Sequence, residues 1–281
     1  MKRILITGAT GYIGTAFQAY LSKWPQDYQA ELVSVTGDGW KQLDFSQYDA
    51  VYHVAGIAHR KETEENAALY YAVNRDLTVA LAQKAKDSGV SHLVFMSSMS
   101  VYGMDAGTIT PATQPCPTSH YGKSKLEAEQ LLTQMEAPGF CVTILRPPMV
   151  YGKGCKGNFQ LLRKLVEKSP VFPAVQNRRS MISIANLCAF SKWDIDRQLA
   201  GVFCPQNQDY VNTTELARLM AAAMGRRVHF SPLAGLAVRM MMPLVSKARK
   251  AFSSLIYEGF PQPEEAYWVE DLADSVRASV K

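Results

Sequence analysis

Several large classes of protein are excluded by what this sequence lacks. Its five cysteines (Cys116, Cys141, Cys155, Cys188 and Cys204) are scattered, odd in number and free of any CxxC pair. Neither a disulfide framework nor a zinc site organises such a chain. His53, His59 and His120 lack ligand spacing, so no metal is expected. No apolar run approaches the roughly 18–20 residues of a bilayer-spanning helix. The start, MKRILITGATG, has too short an apolar stretch for a signal peptide, and a reducing, cytoplasmic setting is expected. There is no internal repeat, no low-complexity tract and no basic run. With 30 Lys and Arg against 25 Asp and Glu, the charge is only +5 over 281 residues. That balance permits an anionic ligand but gives no reason to expect nucleic acid.

What is present is an ordinary globular balance, 47% hydrophobic and 20% charged, enough for a sizeable core. Apolar β-branched runs at 3–7, 32–36, 50–54, 92–96 and 142–146 read as buried strands. Helix-like stretches at 12–24, 67–88 and 121–135 lie between them. Strand–helix alternation with near-continuous apolar strands predicts an α/β fold, a doubly wound parallel sheet covered on both faces. Residues 1–150 read as this core. Residues 151–281, cut by prolines, read as a smaller mixed lobe that returns at least one strand, 181–184, to the sheet. Asn212 and Glu215 resemble a capping box opening a helix that stops at Gly225.

The turn Gly8-Ala9-Thr10-Gly11-Tyr12-Ile13-Gly14 follows the first strand and opens a helix. Gly8 allows a tight turn, Gly11 lets backbone approach a pyrophosphate, and Gly14 lets helix pack on strand. The helix N-terminus then faces phosphate charge. An acidic residue closing the second strand would bind the ribose 2′-hydroxyl of NAD, but Thr36 stands there, with Asp38 two residues on and Lys41 the nearest cation. The choice between NAD and NADP stays open. Asp44, after a short third strand, is placed to meet an adenine edge or to serve as a loop residue.

Tyr121 and Lys125 begin a predicted helix one turn apart, on one face. A tyrosine ionises near pH 10, so acid–base work near neutrality needs a nearby cation to stabilise its phenolate. Upstream, Ser97-Ser98-Met99-Ser100 leaves the carboxyl end of a strand, where such sheets bind ligands. A hydroxyl there can share a proton with Tyr121 and a substrate oxygen.

Together these residues resemble the extended short-chain dehydrogenase/reductase type, the NAD-dependent epimerase/dehydratase family that modifies nucleotide sugars. The resemblance rests on TGATGYIG, on His53-Val54-Ala55-Gly56, on Asn74 with Thr78, on SSMSVYG and on YGKSK. It continues through Arg146-Pro147-Pro148-Met149-Val150-Tyr151-Gly152, Gly259-Phe260-Pro261 and Glu270-Asp271-Leu272. It implies Tyr121 as acid/base, Lys125 as activator and ribose ligand, and Ser98 as hydroxyl partner, with Ser97 or Ser100 as second choices. Cofactor contacts are implied for Gly8, Gly11, Tyr12, Ile13, Gly14, Thr36, Asp44, Phe45, Val54, Ala55, Gly56, Asn74, Tyr121, Lys125 and Pro148. Ser98, Ser100, Tyr121, Asn158 and Arg179 would meet the substrate, the last two at its diphosphate. The positive charge is then expected as Lys125, Arg146 and Arg179 around two pyrophosphates.

Where family dehydratases carry Asp-Glu this chain has Met99-Ser100, which argues against 4,6-dehydration. Many epimerases have asparagine where Met149 stands. The resemblance implies a cytoplasmic enzyme, expected to be a homodimer, acting at carbon four of a UDP- or dTDP-linked sugar for surface polysaccharide. A 4-epimerase is placed ahead of an NADPH-dependent 4-keto reductase, and both ahead of a non-catalytic NAD(P) sensor. The apolar, basic stretch 233–256 is expected to be two helices, broken at Pro243, packing over the sugar site or a second subunit rather than on a membrane.

Overall fold

The computed structural model describes residues 1–58, 60–263 and 267–280, with Ser246 and Lys247 as backbone alone. His59, named above, and the Lys247 side chain, within the basic stretch 233–256, lie outside the described residues. The chain begins with β1 (Lys2–Thr7), α1 (Tyr12–Leu21), β2 (Tyr28–Val33), β3 (Ala50–His53), α2 (Glu64–Tyr71), α3 (Leu77–Asp87), β4 (His92–Met96) and β5 (Gly107–Ile109). Next come α4 (His120–Thr133), β6 (Cys141–Leu145), β7 (Met149–Tyr151), α5 (Asn158–Lys168), β8 (Val171–Pro173), β9 (Met181–Ser183) and α6 (Ile184–Arg197). The chain continues with β10 (Gly201–Phe203), α7 (Thr213–Ala223), β11 (His229–Ser231), α8 (Pro232–Met241), α9 (Ser246–Phe252), β12 (Leu255–Tyr257) and α10 (Leu272–Val280). These elements sort into two compact units. One holds Met1–Gly103, Gln114–Pro147 and Cys188–Pro205; the other holds Met104–Thr113, Pro148–Leu187 and Gln206–Lys281.

The first unit is built on a six-stranded parallel sheet in the order β10-β6-β4-β3-β1-β2. Every residue of β3 and β4 is buried. Because successive side chains point to opposite faces, such strands are covered on both sides. This is the doubly wound α/β class. Leu5, Val51, Leu93, Phe95, Val142 and Ile144 join Leu81, Ala85, Ala128 and Leu132 in one core cluster.

Four local expectations give way. The second strand starts earlier and ends at Val33 rather than at Thr36, paired in register from Lys2↔Tyr28 to Thr7↔Val33. It lies at the sheet's edge and alternates in exposure, so no apolar run marks it. The short third strand before Asp44 is absent; a 3-10 turn, Gly39–Gln42, occupies that interval. A parallel crossover needs a dozen or more residues, and the chain spends these on one turn before β3. The expected helix over 67–88 is α2 and α3 joined by a π turn, Ala72–Asp76. Finally, residues 181–184 do not return to the sheet: β9 pairs with β7. The returning strand is β10, which aligns Gly201 with Thr143 and Phe203 with Leu145.

The second unit carries three two-stranded parallel pairs, β11-β8, β12-β5 and β7-β9. Here α7 starts as the sequence predicts. The Asn212 side chain accepts the Thr214 and Glu215 N–H groups, two donors a helix start leaves unsatisfied.

Candidate active site

The glycine turn has the predicted geometry. Gly8 sits at φ 86°, a left-handed conformation that glycine adopts without penalty. A Cβ on Gly14 would lie 3.1 Å from Val54 Cγ2 and 3.3 Å from Ile6 Cγ2, so helix meets strand only because that residue is glycine. Gly11 begins α1 with no side-chain cap, and the first turn of α1 has no acidic residue. The Tyr12, Ile13 and Gly14 N–H groups therefore sit where a phosphate would be held, with no carboxylate of the first turn competing. This part of the chain fits a dinucleotide.

Polar groups brace the loop after β3. Thr7 Oγ1 lies 2.7 Å from His53 Nδ1, His53 Nε2 lies 2.8 Å from Thr78 Oγ1, and Thr78 donates to the Asn74 carbonyl. Burial pushes the His53 pKa down to about 3, so its ring is neutral at physiological pH. Asn74, in the π turn, accepts the Ile57 N–H and donates to the Ile57 carbonyl and Ser124 Oγ. Its side chain thereby fixes the Val54–Ala55–Gly56 loop against α4. A Cβ on Gly56 would stand 2.9 Å from Asn74 Oδ1 and 3.3 Å from Lys125 Nζ, a close approach that glycine permits.

The start of α4 is held more firmly than the sequence indicates. Ser119 caps it by accepting the Gly122 N–H. Glu62, from the loop before α2, accepts the His120 and Tyr121 N–H groups at 2.9 and 3.1 Å. The first three helical N–H groups thus have partners, and the negative carboxylate suits the helix dipole. Glu62 escaped sequence reasoning because a cap from 58 residues away has no local signature. Gly122 explains the tight seat of the serine segment: a Cβ there would lie 2.7 Å from the Ser100 carbonyl oxygen.

On this helix the Tyr121 hydroxyl lies near the Ser98 side chain. Burial raises the tyrosine's pKa, the nearby Ser98 hydroxyl opposes that, and Tyr70 adds to it. Tyr121 is therefore a neutral phenol at pH 7 in the free protein. Lys125 is buried, donates from Nζ to the Met96 carbonyl at 2.8 Å, and lies 4.5 Å from the centre of the Phe95 ring. Its burial pulls the ammonium pKa down to about 7, partly offset by Glu129.

The structure separates the three candidate serines. Ser98 contacts Tyr121 and accepts the Ser100 N–H. Ser100 is exposed, with its hydroxyl accepting from Ser98 Oγ. Ser97 is buried and donates to Glu129, so it is withdrawn from the role of second-choice hydroxyl. Glu129 in turn pairs with Arg146, whose Nη1 donates to the Tyr102 hydroxyl at 2.8 Å. Arg146 is thus committed to a buried carboxylate and does not belong among the pyrophosphate cations.

The expected adenosine side is largely exposed. Thr36 is exposed beyond the end of β2, and Lys41 pairs with Asp38 at 2.7 Å. Asp44 is exposed and accepts the Ser46 N–H and hydroxyl; the hydroxyl is the larger influence lowering its pKa. It is a turn-forming residue with one solvent face. The Phe45 side chain is 1% exposed and packs in the core cluster, which leaves its backbone for any ligand contact.

In the second unit, Arg179 donates to the Ser253 carbonyl and exchanges backbone bonds with Val211. Burial lowers its pKa, opposed by Asp105. Asn158 is exposed at the start of α5, and Pro148 is buried where this unit's second segment begins. Among the described residues no cluster of three His, Cys, Asp or Glu could hold a metal ion.

The sequence profile of the NAD dependent epimerase/dehydratase family matches residues 4–171. The chain belongs to that family. This epimerase/dehydratase chain is 35% identical over 254 residues to the UDP-glucose 4-epimerase of Vibrio cholerae, covering 80% of this chain and 76% of the relative. It is 26% identical over 245 residues to N-acetyl-alpha-D-glucosaminyl-diphospho-ditrans,octacis-undecaprenol 4-epimerase of Escherichia coli O157:H7, covering 80% and 73%. The crystal structure of UDP-glucuronic acid 4-epimerase from Bacillus cereus, solved with NAD, superposes with a TM-score of 0.74. That match covers 99% of this chain and 97% of the other at 18% identity, a likeness of fold. The protein is an NAD(P)-dependent enzyme of the extended short-chain dehydrogenase/reductase type.

Proposed function

We propose that the chain transfers hydride at carbon four of a nucleotide sugar, chiefly as a 4-epimerase. The observation that carries this reading is the nearness of Ser98 to Tyr121, on the helix that also bears buried Lys125. The bound nicotinamide would take up the hydride and return it. The chain's part is the proton. In this reading Tyr121 Oη exchanges a proton with the sugar's 4-oxygen, and Ser98 Oγ orients that hydroxyl. The Lys125 charge would favour the phenolate as the proton leaves. Ser100, Asn158 and Arg179 are assigned to the substrate, the arginine to its diphosphate because a guanidinium fork matches phosphate oxygens.

A UDP- or dTDP-linked sugar is the substrate in this reading, and the enzyme works in the cytoplasm as a homodimer. Exposed Leu69 on α2 and Leu131 on α4 support a subunit contact. An NADPH-dependent 4-keto reductase is the second reading. It is favoured by one feature: no acid closes β2, which leaves room for a 2′-phosphate at Thr36.

Incubation with a panel of UDP- and dTDP-sugars, with and without NADPH, separates the two. Inversion at carbon four without net cofactor change is the expected result. Net NADPH oxidation by a 4-keto sugar would instead establish the reductase. Neither activity, with NAD(H) still bound, would leave a cofactor sensor.

A further inference from the structure

We propose that α8 and the arginine-lined hollow beside it dock the protein on an anionic lipid bilayer. The proposal does not depend on which sugar is the substrate. Within the second unit α8 is covered on one side. Gly235 is buried, and a Cβ there would fall 2.0 Å from the Ala174 carbonyl oxygen, so the helix rests directly on the chain that leaves β8. The other side is bare. Leu233, Leu236 and Met240 are 80%, 56% and 71% exposed, and Leu244, just past the helix, is 86% exposed. Helical spacing of three and then four residues aligns the first three in one stripe opposite Gly235.

Cations accompany the stripe. Arg239 is exposed on α8 itself. Arg218, Arg226, Arg227 and His229 line an open hollow of about 550 Å³. The Arg218 guanidinium lies 4.5 Å from the centre of the Phe230 ring. Phe230 is in β11, and the next residue, Ser231, caps α8 by accepting the Ala234 N–H. Hollow and stripe thus belong to consecutive elements. Two of the unit's acidic groups are paired elsewhere: Asp105 with Arg249 and Lys250, and Asp274 with Arg277. Among the described residues no carboxylate pairs with Arg218, Arg226, Arg227 or Arg239.

Leucine and methionine beside unpaired arginines match an interface whose headgroups are anionic and whose interior is hydrocarbon. A two-fold contact with a second copy through this face would oppose the same cations to one another, which disfavours that occupant.

The test is co-sedimentation of the full chain with vesicles of phosphatidylcholine containing phosphatidylglycerol, against phosphatidylcholine alone. Partition onto the anionic vesicles is expected to be at least about tenfold stronger and to weaken with salt. Leu236→Glu/Met240→Glu and, separately, Arg226→Glu/Arg227→Glu should each lower it about tenfold or more, with melting temperature and turnover in solution unchanged. Equal recovery on neutral vesicles would overturn the proposal, as would full binding by either folded double variant. So would a dimer that Leu236→Glu/Met240→Glu converts to monomer while the parent chain ignores vesicles.

Discussion

Lys125 and Tyr121 are four residues apart, yet burial acts on them in opposite senses, and each sense has a measurable consequence. For Lys125, burial disfavours the charged form and brings its pKa to about 7 in the free protein. An unfolded lysine holds its proton to above pH 10. Between those values the unfolded chain binds more protons at this position, so stability rises with pH from about 7 to about 10. Melting curves of the ligand-free protein should show this rise, worth a few kcal/mol by order of magnitude. Lys125→Met should remove it; identical pH dependence in both proteins would reject a buried, near-neutral Lys125. For Tyr121, burial raises the pKa and keeps the proton on the free protein's hydroxyl. Tyr121→Phe deletes that proton donor while preserving the ring. Turnover should fall by about 10²-fold or more, with cofactor binding by calorimetry unchanged. Full turnover in the variant would remove Tyr121 from the mechanism.

Among the elements, α4 concentrates the site, and its start depends on a distant carboxylate. Glu62 receives the His120 and Tyr121 N–H groups, so Glu62→Ala strips partners from the two residues that place the phenol. The expected cost is about 1 kcal/mol of stability, typical of a lost helix cap. Turnover should fall with little change in cofactor affinity, and Glu62→Gln, which keeps one acceptor oxygen but turns an NH2 toward the other N–H, should restore only part of it. Unaltered kinetics in Glu62→Ala would show that Ser119 alone positions the helix. The π turn between α2 and α3 is comparable: it interrupts a helix to put Asn74 where both the Ile57 backbone and Ser124 can be reached.

In the molecule as a whole, the first unit is tied across its interior by the chain Ser97–Glu129–Arg146–Tyr102, which links α4 to the strand ends. Arg146→Met leaves Glu129 charged and buried without its partner, at a cost of about 3–5 kcal/mol. Arg146→Met/Glu129→Leu should recover much of that in thermal melts, whereas equal destabilisation of both variants would argue that packing, not charge, holds the region. The sequence by itself determined the features that depend on near neighbours. Alternation of short apolar runs with helical stretches set the sheet; β4 falls on the predicted residues. Gly8, Gly11 and Gly14 defined a tight strand-to-helix turn, and the four-residue interval from Tyr121 to Lys125 placed both on one face. These rest on backbone sterics and helical period, which act within a few residues. Only the tertiary structure decided which serine meets Tyr121 and that Arg146 is consumed by Glu129. It likewise made β10 the sixth strand and brought Glu62 to α4. Each of those choices depends on atoms far apart in the chain competing for one partner in a space that exists only after folding.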